Sequence, residues 1–189
     1  MKVGDKHIEE IVFEKTKDLL LKYGVKGWNM NDLSEACSMS KRTLYKIIGT
    51  KEDLLSEISK KGISANNARI EKYLESKQPF QTLLNNLSQH ILEGFDDFAL
   101  IHISAIRVEY PRIREMIDNI YIKNLRELSV SFFEKGINEG DIVDYAEATV
   151  IEKTLHALIE YHTLNCNNRI EFKKDMDEVL TLFFKGIMK

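Results

Sequence analysis

At 189 residues, with 43% hydrophobic and 30% charged residues and a net charge of -3, the chain has the balance of a packed globular protein. That balance excludes a disordered chain, and no run approaches the roughly 18 apolar residues that a membrane span requires, so no membrane partner is expected. The net charge hides a local asymmetry: residues 38–51 hold four bases (Lys41, Arg42, Lys46, Lys51) and no acid, whereas the chain from residue 56 onward is acidic on balance.

The first ten residues are charged and carry no apolar run, so no secretory leader and a cytoplasmic location are expected. Ile8, Ile11, Val12, Leu19, Leu20 and Tyr23 recur at helical spacing and predict a helix over 5–23 that Gly24 stops as a left-handed cap. Asn29 is an N-cap with Asp32 three residues on, opening a short second helix that buries Met30, Leu33, Ala36 and Cys37. Ser38, Met39 and Ser40 make a tight connection. Lys41 to Ile48 form a third short helix with Leu44 and Ile48 inward, closed by Gly49. Thr50, Lys51, Glu52 and Asp53 read as a second capping box, starting a long fourth helix that buries Leu54, Leu55 and Ile58.

Pro79 is expected in the first turn of a fifth helix bearing Phe80, Leu83, Leu84, Leu87 and Ile91. Residues 95–108 form a sixth. Pro111 opens a long seventh, with Ile113, Met116, Ile117, Ile120, Leu128 and Phe132, reaching the Gly136 region. The last two are expected over 143–164 and 170–187, striped by Ala148, Ile151, Leu155, Leu158, Ile159 and His162 and by Phe172, Met176, Val179, Leu180, Phe183 and Ile187. Period-two alternation is absent, so the fold class is all-α with about nine helices. Val150, Ala157 and Phe184 lie off the stripes. Apolar residues on more than one face suit a helix pair that packs on its own subunit and on a second copy, and Ile151, Leu155, Phe172, Met176, Leu180 and Phe183 are the expected dimer contacts.

A short helix, a three-residue turn and a second short helix that is basic and carries a tyrosine match what the DNA major groove accepts. Lys41 and Arg42 can donate to guanine O6 and N7, and Tyr45 can stack on a thymine methyl or donate to a phosphate, so these three are the expected base readers. Thr43, Lys46 and Lys51 are expected to hold phosphates, which fixes register without reading sequence.

The runs Tyr23-Gly24, Met30-Asn31-Asp32-Leu33, Met39 through Tyr45, and Lys51-Glu52-Asp53-Leu54-Leu55 resemble the tetracycline-repressor family of bacterial regulators over about the first 55 residues. The resemblance implies the same assignment of base and phosphate contacts. It also implies a helix-turn-helix DNA-binding domain at 1–52 and a helical domain at 53–189 with a ligand cavity and dimerisation through the last two helices. Four positions depart from the family pattern: Ser38 and Arg42 replace usual glycines, Ile48 a phenylalanine and Asn29 a threonine. Ser38 in a left-handed conformation would cost roughly 1 kcal/mol.

Phe95, Phe98, His102, Tyr110, Met116 and Tyr121 are the candidate pocket residues, since apolar walls with a few polar groups suit small molecules. His90, His102, His156 and His162 lack metal-ligand spacing, and Cys37 and Cys166 lie far apart, so no metal, cofactor or disulfide is expected. Glu109, Glu115 and Glu152 have no nucleophile or acid partner at a recognisable spacing, so no enzyme is expected. The expected function is a transcriptional repressor, a homodimer on a palindromic double-stranded operator, released by a small-molecule effector. The alternative is a helical sensor or protein-interaction module that no longer reads DNA.

Overall fold

A computed structural model describes residues 6–94, 104–166 and 168–189. The first unit is α1 (Lys6–Tyr23), α2 (Met30–Ala36) and α3 (Lys41–Ile48), followed by the long α4 (Lys51–Leu74). Val12, Leu19 and Leu20 turn inward from α1, while Tyr23 faces solvent. Gly24 ends the helix at φ 67°, its N–H donating to the Leu20 carbonyl at 2.8 Å.

Both capping boxes form. The Asn29 N–H donates to Asp32 at 2.7 Å while the Asn29 side chain accepts from the Asn31 N–H at 2.7 Å. The Thr50 N–H donates to Asp53 at 2.8 Å, and the Asp53 N–H donates to the Thr50 hydroxyl at 3.2 Å. Each cap stabilises its helix by about 1 kcal/mol. Ser40 caps α3 by accepting from the Thr43 N–H at 3.1 Å. Between α2 and α3, Ser38 holds the left-handed conformation at φ 52°, and the Ser34 hydroxyl donates to the Met39 carbonyl at 2.5 Å.

The C-terminal half comprises α5 (Phe80–Glu93), α6 (Ser104–Glu109), α7 (Pro111–Tyr121), a π turn (Ile122–Arg126), α8 (Glu127–Glu139), α9 (Ala148–Asn165) and α10 (Arg169–Ile187). The single helix expected from Pro111 is a continuous rod, but the π turn interrupts its register. The rod also passes through Gly136. A Cβ there would lie 2.4 Å from the Phe80 ring, so this glycine serves close packing, and Gly140, at φ 82°, is the stop. Pro79 precedes α5 as its N-cap instead of entering the first turn. Helix α9 starts later than residue 143 because Ile142 and Val143 pair with the chain's last turn: Ile142 bridges Met188, and the Val143 N–H donates to Ile187 at 2.8 Å. Most of the helix expected over 95–108 lies outside the described residues.

Two apolar clusters hold these elements together. One gathers Leu20, Trp28, Leu33, Leu44, Leu54 and Leu55 with Ile106, Ile113 and Ile117 of α6 and α7. The other joins α5, α8, α9 and α10 around Phe80, Phe133, Phe172 and Met176. Each fully buried leucine or phenylalanine stabilises the fold by about 1.5–3 kcal/mol. The boundary expected at 52/53 falls in the first turn of α4, whose Leu54, Leu55 and Ile58 belong to the first cluster. Among the described residues, no helix is long and apolar enough to cross a membrane.

Candidate nucleic-acid interface and ligand cavity

Helix α3 divides cleanly by face. Leu44, Ile47 and Ile48 are buried, and Lys41, Arg42, Thr43, Tyr45 and Lys46 are exposed. Lys41, Arg42, Tyr45 and Lys46 are related by three or four residues, so they project from one side of the helix. Tyr45 keeps half its surface in solvent although it sits beside the buried Leu44. An exposed aromatic between cations, on a helix whose other face is locked in a core, is a rigid platform suited to a groove. The Thr43 hydroxyl pairs with that of Ser40 at 2.9 Å, placing two hydroxyls at the helix's first turn.

Lys51 departs from the expectation of a phosphate contact. Its ammonium donates to the carbonyls of Val25 at 2.7 Å and Trp28 at 2.5 Å, and it lies over the Trp28 ring at 4.0 Å. Burial pushes its pKa down. A lysine with two donors spent on the 25–28 loop is a tether between that loop and α4. The sequence does not distinguish it from an exposed base, because the carbonyls it serves belong to residues 23 to 26 positions earlier.

The second feature is a cavity of about 630 Å³ bounded by α1, α4, α5, α6, α7, the π turn, α8 and α9. Its walls are mostly apolar, with Ile58, Leu87, Ile117, Leu125, Phe133 and Ile159 among them, and Phe13 of α1 reaches it from the first unit. Of the expected pocket residues, Tyr121 lines it. Tyr110 and Met116 instead pack against the first apolar cluster, Met116 receiving the Ser56 hydroxyl at 3.3 Å. Phe95, Phe98 and His102 lie outside the described residues.

The polar side of the cavity comes from α6, α7 and α9. The Tyr121 hydroxyl donates to Glu152 at 2.6 Å, and its ring stacks on His156 at 4.0 Å and 13°. Burial, then the Glu152 contact, raises the Tyr121 pKa far above that of a free phenol. Burial also lowers the His156 pKa, against the opposing pull of Glu160 and Glu152. Arg107, only 8% exposed, donates to Asp118 at 3.0 Å and Glu160 at 2.7 Å. Glu152, His156 and Glu160 recur every fourth residue inside an apolar helix, a signal that the stripe reading passed over.

The expected dimer contacts need a correction. Ile151, Leu155, Phe172, Met176 and Leu180 are buried within this one chain, and Phe183 packs partly buried against the same cluster. Phe184, expected off the stripe, is also buried. The most apolar stripe fills the subunit's own core, because burying it gains most there. What α9 and α10 leave in solvent includes Val150, Tyr161 and Leu182.

Among the described residues, no group of three or more His, Cys, Asp or Glu is placed to hold a metal ion. No family model matches the chain, and no curated protein matches its sequence. Solved structures do match. The chain is similar to the fatty acid degradation regulator FadR from Bacillus halodurans, with TM-score 0.77 and 14% identity over 98% of each chain. It is similar to the ketosteroid transcriptional regulator KstR2 of Mycobacterium tuberculosis, with TM-score 0.71 and 15% identity over 100% of this chain and 97% of that one. A third is the TetR-family regulator PfmR from Thermus thermophilus, with TM-score 0.68 and 18% identity over 94% of this chain and 99% of that one. These similarities span both halves of the molecule, and the chain has the all-α fold of the TetR-type transcriptional regulators.

Proposed function

We propose that this chain is a sequence-specific transcriptional regulator, a repressor acting in the cytoplasm as a homodimer on a palindromic operator and released by a small-molecule effector. The observation that carries the reading is α3: a capped helix, buried on one face and presenting Lys41, Arg42 and Tyr45 on the other. Arg42 and Lys41 read guanine, Tyr45 packs on thymine, and Thr43 and Lys46 hold phosphates. Lys51 is left out of that set because its ammonium is turned inward.

The outward face of α9 and α10, with Val150, Tyr161 and Leu182, is the surface for a second copy. Two copies set their recognition helices about 34 to 36 Å apart to meet successive major grooves. The cavity supports the effector reading, since Phe13 of α1 and Ile58 of α4 share its wall. A ligand that fits only one spacing of these helices shifts the population toward that spacing and changes affinity for DNA.

The test is fluorescence anisotropy of a labelled random-sequence duplex, titrated with protein at several salt concentrations. Binding should weaken steeply with salt, and Lys46→Ala should reduce the log–log slope by about one. Absence of duplex binding at low salt would overturn the reading.

A further inference from the structure

The polar wall of the cavity leaves Glu152 Oε2 without a hydrogen-bond donor, and it also carries two unpartnered buried N–H groups, on Asn67 Nδ2 and Arg107 Nε. Glu152 is only 3% exposed, and its Oε1 takes the Tyr121 hydroxyl while its Oε2 has no hydrogen-bond partner among the described residues. Arg126 is the cation paired with Oε2, and its Nε stands 3.8 Å away, outside hydrogen-bond reach. A carboxyl taken almost wholly out of water, with one oxygen unsatisfied beside an apolar cavity, leaves an acceptor for a ligand to fill.

The cations on the same wall are already engaged. Arg107 is held by Asp118 and Glu160, Lys17 by Glu14 at 3.2 Å, and Lys61 lies over the Phe13 ring at 3.8 Å. Among the described residues lining the cavity, six are acidic and three basic. A carboxylate ligand would meet a surplus of like charge there, with Arg107 Nε and Asn67 Nδ2 as the unpartnered buried donors to set against it. A neutral alcohol would satisfy the Glu152 hydrogen bond but add no positive charge to the long, 3.8 Å pairing with Arg126.

We propose that the cavity takes an amphipathic organic cation, an apolar body carrying a protonated amine, with Glu152 accepting the head group and Tyr121 positioning Glu152. The proposal rests on the effector reading above and names the chemistry of that effector. The π turn belongs to the same design: it follows Tyr121 directly and carries Leu125, so one local irregularity places both a polar anchor and an apolar contact on the cavity wall. The volume falls in the range of small-molecule sites, and the apolar wall accommodates an alkyl body.

The test is calorimetric titration of the full chain at neutral pH with three ligands that share one alkyl tail: dodecylamine, dodecanol and dodecanoate, each below its aggregation concentration. Dodecylamine should bind about tenfold to a hundredfold more tightly than dodecanol, with dodecanoate weakest. Glu152→Gln should abolish the preference by weakening dodecylamine far more than dodecanol, with folding checked by thermal melting. If Glu152→Gln fails to fold, Tyr121→Phe decides, and should reduce the preference severalfold while preserving dodecanol binding. Dodecanoate binding as tightly as dodecylamine, no binding of any of the three, or an amine preference untouched by the deciding variant overturns the proposal. Duplex binding is measured separately. Amine preference without duplex binding rejects the regulator reading alone, and duplex binding without amine preference rejects the cation alone.

Discussion

Ser38 holds φ 52° between α2 and α3, a conformation that glycine adopts without strain and serine does not. The serine was legible as a departure at a turn, and its strain follows from the chirality of its Cβ. Ser38→Gly should stabilise the chain by about 0.5 to 1 kcal/mol, the relief of left-handed strain less the greater freedom of glycine in the unfolded chain. Urea denaturation checks this, and an unchanged or lower midpoint would show that the serine carries compensation of its own. Lys51 is the opposite lesson. Its position at the head of α4 was readable from the capping box, but its direction was not, because the Val25 and Trp28 carbonyls are brought to it only by the fold.

At the scale of elements, punctuation was the most legible part. Gly24, Asn29, Thr50 and the 38–40 turn each act within a few residues, so local chemistry decides them. The π turn after Tyr121 and the late start of α9 were not readable, because the contacts accompanying them join Tyr121 to Glu152 and Val143 to Ile187. Helix α9 also carries a pH dependence. Burial holds the His156 pKa below its ordinary 6.5, so the unfolded chain takes up the proton first as pH falls. The penalty is absent well above 6.5, grows as pH drops through 6.5, and is complete below the lowered folded value. Urea midpoints should therefore fall more on acidification for the wild type than for His156→Gln. Parallel losses in the two proteins would remove His156 from the account.

For the whole molecule, the harder question was which apolar stripe fills the chain's own core and which is left for the proposed second copy. Periodicity finds both and cannot rank them, since α9 and α10 are apolar on more than one face. The buried set proved to be Ala148, Ile151, Leu155, Phe172, Met176, Leu180 and Phe184, and the solvent-facing remainder is smaller and less uniform. That remainder predicts a dimer sensitive to Leu182, which is 72% exposed in the single chain. Leu182→Glu should weaken self-association by about tenfold or more, with monomer stability changed by no more than about 0.5 kcal/mol. Sedimentation across a concentration series measures the first and urea denaturation the second. A dimer indifferent to Leu182→Glu would place the interface elsewhere.

The central claim is that α3 reads DNA sequence, and selection of bound duplexes from a random pool tests it most directly, with wild type, Arg42→Ala and Tyr45→Ala run in parallel. The wild type should enrich a palindrome whose half-sites lie one helical turn apart. Arg42→Ala should relax one symmetric base position at a cost of about 1 to 3 kcal/mol, and Tyr45→Ala should relax a neighbouring one. Enrichment of no sequence by the wild type, or identical profiles for all three proteins, would contradict the account.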